Sequence, residues 1–195
     1  MNDTQTLFGT LRNSVDPAVA DAIETLVRDG QDRELCRINV LAFADKRGLN
    51  EEKVISGFLH ASRLGLFEMN WNVLCPGCGG VLDAHDTLKS LRHDDYQCGL
   101  CACGYEASVD EQVEVAFTVS PKVRRIAAHD PATLPLWDYF KQMFWSSGVD
   151  LNEEVIREHL RKEYLETTGY FNPTDGWNTR QLAYYQVPGN TIGDV

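Results

Sequence analysis

Basic charge is scarce in this chain: 18 lysines and arginines stand against 29 aspartates and glutamates in 195 residues, a formal net charge of −11. A polyanionic partner would have to be met by a local basic patch working against the field of the whole molecule, which sets nucleic acid behind other partners. Long apolar runs are missing as well. No stretch approaches the ~18 consecutive apolar residues of a membrane span, so no membrane association is expected. The first residues, Met1 to Gly9, lack the basic and apolar regions of a secretory signal, which leaves the cytoplasm as the expected location. There is no Gly-rich phosphate loop, no Ser/His/Asp set and no internal repeat. Nothing therefore stands out as a nucleophile, and the chain is expected not to be an enzyme.

What is present is an ordinary globular composition, 43% apolar and 10% aromatic, with six cysteines. Without an export signal those cysteines are better read as reduced thiols and metal ligands than as disulfides.

Asp16-Pro17 reads as an N-cap followed by proline in the first helical turn, and Val19, Ala22, Ile23, Leu26 and Val27 recur at helical spacing up to Gly30. A second helix is expected from about Glu34 through Ile38 and Leu41 to Gly48. A third is expected after Asn50, carrying Val54, Ile55, Phe58, Leu59 and Leu64 before Gly65. After Gly65 the period falls to two: Phe67, Met69, Trp71 and Val73 alternate with polar residues as in a half-buried strand. A matching run, Val113, Val115, Phe117 and Val119, ends at Ser120-Pro121. Beyond the basic cluster Lys122, Arg124 and Arg125, which reads as a solvated turn, Asp130-Pro131 opens an aromatic helix through Phe144. A further helix is expected from Asn152 to about Thr168, where His159 and Glu163 share a face and read as a surface pair. An extended aromatic segment follows from Tyr170.

Between the two strands lie Cys75-x2-Cys78 and Cys98-x2-Cys101, separated by residues 79 to 97, a spacing within the range of zinc ribbons. Two thiolates three positions apart in a tight turn reach one ion at about 2.3 Å, and two such turns complete a tetrahedron. Four sulfurs close the shell, so one structural Zn2+ is expected, with its binding energy serving folding rather than catalysis. Cys103 shares the second turn but breaks the x2 spacing and reads as a spare. His85 and His93 are surplus to four cysteines, and Cys36 reads as a small core residue.

Three helices followed by a strand are the order of a winged helix-turn-helix, whose third helix would enter the major groove of DNA. From Asp32 to Asn72, however, six basic residues are balanced by six acidic ones. A scaffold for protein contact or dimerisation is therefore favoured over DNA binding.

The stretches Ala44–Leu49, Phe58–Phe67 and Trp71–Cys78, with Tyr96–Cys101 and Asp110–Arg125, resemble a zinc-ribbon-containing, uncharacterised domain found N-terminal to the catalytic domain of bacterial class III adenylate/guanylate cyclases. The resemblance spans roughly residues 15–130 and implies a non-catalytic regulatory or protein-contacting module. It also supports Cys98 and Cys101 over Cys103. The segment after Asp130 is too short for a cyclase catalytic domain and reads as helices. The chain is therefore expected to be a stand-alone relative or a piece of a longer protein.

The expected architecture is α+β. It comprises a tail (1–15), a winged-helix-like domain (16–74), a zinc ribbon with its return strand (75–121), a helical segment (122–169) and an extended aromatic tail (170–195). The expected partner is another protein or a second copy of the chain. The alternatives are a DNA-binding regulator and an accessory subunit of a larger enzyme.

Overall fold

Asp16 caps the N-terminus of a helix by accepting from the Ala18 N–H at 3.0 Å, with Pro17 in the first position where its missing N–H costs nothing. This helix, α2 (Pro17–Asp29), buries Val19, Ala20, Ile23, Leu26 and Val27. The computed structural model describes residues 3–76, 79–87, 95–98, 104–106, 113–147, 171–172 and 176–177. Residues 1–15, read from the sequence as a tail, carry α1 (Asp3–Ser14), which buries Phe8 and Leu11. Arg12 ties it to Asp21 and Glu24 of α2. Two buried apolar residues make too short a stripe to announce a helix without its packing partner.

The helix expected from Glu34 to Gly48 is divided. A 3-10 turn (Asp32–Leu35) is followed by a two-residue strand, β1 (Ile38–Asn39), and then by α3 (Val40–Arg47). Ile38 pairs with Phe117 in a distant strand and is buried. That long-range pairing overrides the local helical pattern, and Arg37 takes a left-handed φ of 50° at the break. Asn39 then caps α3 through Ala42 N–H at 2.9 Å. Gly48, at φ 62°, closes α3 in the left-handed conformation that glycine adopts without strain. Asn50 caps α4 (Glu51–Arg63) through Lys53 N–H. The Phe58 ring of α4 is the hub of the core, with centroids 5.1, 5.2 and 5.3 Å from those of Phe43, Phe67 and Phe117.

Both expected strands form: β2 (Phe67–Leu74) and β6 (Val113–Val119) run antiparallel from Phe67↔Val119 to Val73↔Val113. With β1 and β3 (Val81–His85) they make a four-stranded antiparallel sheet of order β1-β6-β2-β3. Between β3 and β6 the chain forms a separate hairpin of β4 (Asp95–Gln97) and β5 (Gly104–Glu106). Residues 75–112 thus leave the central strand pair at Leu74 and return to it at Val113. The Phe67, Phe117 and Val119 side chains belong to the core formed with α1 to α4.

The opposite, polar side of the sheet is covered in part: Asn72 is buried there, whereas Glu68 is exposed. Helix α5 (Leu136–Phe144) leads into the buried residues Trp145 and Ser146, and Ser147 makes a parallel bridge with Ile38 at the β1 edge. Expected from Asp130-Pro131, α5 begins six residues later, after two 3-10 turns (Ala127–His129 and Pro131–Thr133). Pro135 accounts for the delay, because inside a helix its ring would strike the carbonyl four residues back. The basic cluster is only partly a solvated turn. Arg124 donates to Val27 O at 2.8 Å, close to the C-terminus of α2 where a cation is favoured.

The helix expected from Asn152 lies outside the described residues. Of the aromatic tail, Phe171–Asn172 (β7) and Gly176–Trp177 (β8) form an antiparallel pair. The fold is mixed α and β, with five α-helices among the described residues. None of them is long and apolar enough to cross a membrane.

Candidate metal centre

The first cysteine pair sits at the tip of the β2–β3 hairpin. Leu74 pairs with Val81, and the six residues between them form the loop. Cys75 N–H donates to Gly80 O at 2.7 Å, and Gly79 N–H donates back to Cys75 O at 2.8 Å. Gly79 is at φ 69°, a conformation that a side chain would strain, so the turn depends on glycine here. Cys75 is buried although it lies in a hairpin tip.

The second pair occupies the corresponding place in the β4–β5 hairpin. Gln97 pairs with Gly104, which again leaves a six-residue loop, and Cys98, its first residue, is buried. Cysteines stand at the first and fourth positions of both loops. Cys103 stands sixth, where the first loop has Gly80. Of the four expected ligands, Cys75 and Cys98 are described, whereas Cys78 and Cys101 lie outside the described residues, as do Cys103 and His93. Among the described residues no three His, Cys, Asp or Glu side chains form a metal-holding group. Of the surplus thiols and imidazoles, His85 Nε2 lies 2.9 Å from Asp83 Oδ2. Cys36 is in the core with Sγ 3.3 Å from Gln142 O, and burial pushes its thiol pKa up.

A half-buried polar cluster on the second face of the sheet escaped the sequence reading. Glu114 accepts from Asn39 Nδ2 at 2.8 Å and from Ser146 Oγ, with Asn72 Nδ2 at 3.5 Å. Arg33 donates to the carbonyls of Cys36, Trp145 and Ser146 at 3.2, 2.8 and 2.9 Å. Burial lowers the pKa of Arg37, against the opposing influence of Cys36, Glu114 and Tyr139. The cluster fastens residues 145–147 to the sheet. The signal that would have found it is Glu114 and Asn72 lying opposite one another in register, which needs the strand pairing first.

Over residues 1–174 the chain matches a family of unknown function (DUF5939), and it belongs to that family. No curated protein and no solved structure matches it.

Proposed function

We propose that the chain is a non-catalytic, zinc-binding regulatory module that works through protein contact in the cytoplasm, like the domain it resembles ahead of the catalytic domain of bacterial nucleotide cyclases. The observation that carries the reading is the correspondence of the two hairpins: six-residue tips, each beginning with a buried cysteine and each with a second cysteine in fourth place. Cys75, Cys78, Cys98 and Cys101 are the ligands on this reading. A zinc ion held by four thiolates supplies a cross-link between the hairpins and no open coordination position. Cys103, in the place of Gly80, is left out.

A winged-helix-like scaffold is supported by the order α2-β1-α3-α4-β2-β6, with β1 beside β6 and β6 beside β2. The ribbon then occupies the connection between the two long strands, where such folds carry their wing. DNA is the weaker ligand for this scaffold. Glu51 and Glu52 open the helix that would read bases, and its Lys53 is engaged by Asp16 at 2.7 Å.

Metal content of the chain purified under reducing conditions tests the reading. The expected result is one zinc per chain, falling below half for Cys75→Ser and Cys101→Ser and unchanged for Cys103→Ser. A metal-free wild type with an undiminished melting transition would overturn it, as would loss of zinc on Cys103→Ser with retention on Cys101→Ser.

A further inference from the structure

The three large apolar side chains exposed among the described residues all belong to α3 and α4: Leu41, 49% exposed, Ile55, 38%, and Leu59, 46%. Helix α4 buries Val54, Gly57, Phe58 and Ala61 against the core. Glu52, Ile55, Leu59 and Arg63 recur at spacings of three, four and four residues, which places them in one stripe along the opposite side. The stripe is polarised. Acidic Glu51 and Glu52 stand at its N-terminal end, and His60 and Arg63 toward its C-terminal end. Lys53 does not disturb this polarity, because Asp16 pairs with it.

We infer that this stripe is the contact between two copies of the chain, packed antiparallel about a two-fold axis level with Gly57. The inference rests on the reading of the protein as a contact module and names its partner. In that arrangement Ile55 of each copy lies across from Leu59 of the other, and Glu51 across from Arg63. A two-fold axis requires such self-complementarity, and this stripe has it in both apolar pattern and charge. An acidic or nucleic-acid partner would satisfy only one end. One helix pair is a small interface, below about 1,200 Å² in total, so the dimer is of the weak, reversible class.

Sedimentation velocity of the zinc-loaded chain tests this at about 150 mM salt, where charges more than ~8 Å apart are largely screened and the net −11 of each copy opposes pairing less than at low salt. The expected result is a concentration-dependent dimer, weakened about tenfold or more by Ile55→Ser with Leu59→Ser. These positions are exposed, and unchanged circular dichroism verifies the fold. Glu51→Arg and Arg63→Glu each weaken self-association, because each places like charges opposite one another. An equimolar mixture of the two variants recovers the dimer, since in the mixed pair both charge contacts become attractive. A wild type that stays monomeric up to several hundred micromolar overturns the proposal, as does a mixture that shows no recovery. Zinc content measured on the same samples separates the two failures: a monomer with one zinc per chain sinks only the helix pairing, and a metal-free chain sinks the ribbon.

Discussion

Gly57 sets how closely α4 approaches α2, and its substitution by alanine gives a worked magnitude. A Cβ at position 57 would lie 2.5 Å from Val19 Cγ1 and 3.3 Å from Ile23 Cδ1. Carbon atoms in contact prefer about 3.5–4.0 Å, so the helices must part by about 1 Å or Val19 must turn. Val19 is fully buried in α2, where a β-branched side chain has one strongly preferred rotamer. Alanine gains about 1 kcal/mol of helix propensity over glycine, while overpacking costs about 1–3 kcal/mol. Gly57→Ala should therefore destabilise by about 1 kcal/mol despite the better helix former. Val19→Ala removes two methyl groups' worth of burial and leaves a cavity, about 2 kcal/mol in all. In the double variant the new methyl fills the vacated space and the propensity gain is kept, so stability returns to within about 1 kcal/mol of wild type. Urea denaturation followed by circular dichroism, with unchanged m-values, gives the four free energies of the cycle. A Gly57→Ala variant as stable as wild type, or strictly additive substitutions, would refute the reasoning.

Three further outcomes are expected. Arg33→Ala should cost about 2–3 kcal/mol and speed amide exchange in residues 145–147, and Arg33→Lys should not restore protection, because three carbonyls need the guanidinium fork. Cys36 should resist alkylation at neutral pH in the folded chain and react once urea unfolds it, as peptide mass spectrometry can follow; labelling at native rates equal to unfolded ones would contradict its burial. Glu34 is held below the ordinary glutamate range by the Gln31 N–H and then by Lys46, and Asp16 below the aspartate range by Lys53 and then by the Ala18 N–H. Because the folded pKa values are the lower ones, the stability these groups contribute is present above the unfolded values of about 4 and disappears as pH falls through the folded ones. Glu34→Gln with Asp16→Asn should flatten the acid limb of a stability–pH curve, and an unchanged slope below about pH 4 would count against both assignments.

Local signals sufficed where cap, apolar period and stop residue coincide. Asp16-Pro17 to Gly30, Asn50 to Gly65, and the alternating runs Phe67–Val73 and Val113–Val119 all form the elements their patterns imply. They failed where a long-range pairing competed. Ile38 is at a helical spacing but is taken by Phe117 as a strand partner, and Pro135 postpones a helix that Pro131 could have opened. Strands β3, β4 and β5 gave no signal of their own, because strands of three to five residues carry almost no period. The spacing of the cysteines was legible, whereas the equal length of the two hairpin tips is a property of strand register.

By itself the sequence determined the helix boundaries set by Asp16, Asn50 and Gly48, the two long strands, and a doubled cysteine pattern, because caps, periods and short spacings act within a turn or two of backbone. Tertiary structure alone decided that part of the polar face of the sheet is interior. Alternation assigns Asn72 and Glu114 to water, yet Asn72 is completely buried and Glu114 gathers Asn39 and Ser146 beneath the segment that Arg33 fastens down. A period of two states which residues share a face, and only the packing of a segment some thirty residues away decides what covers it.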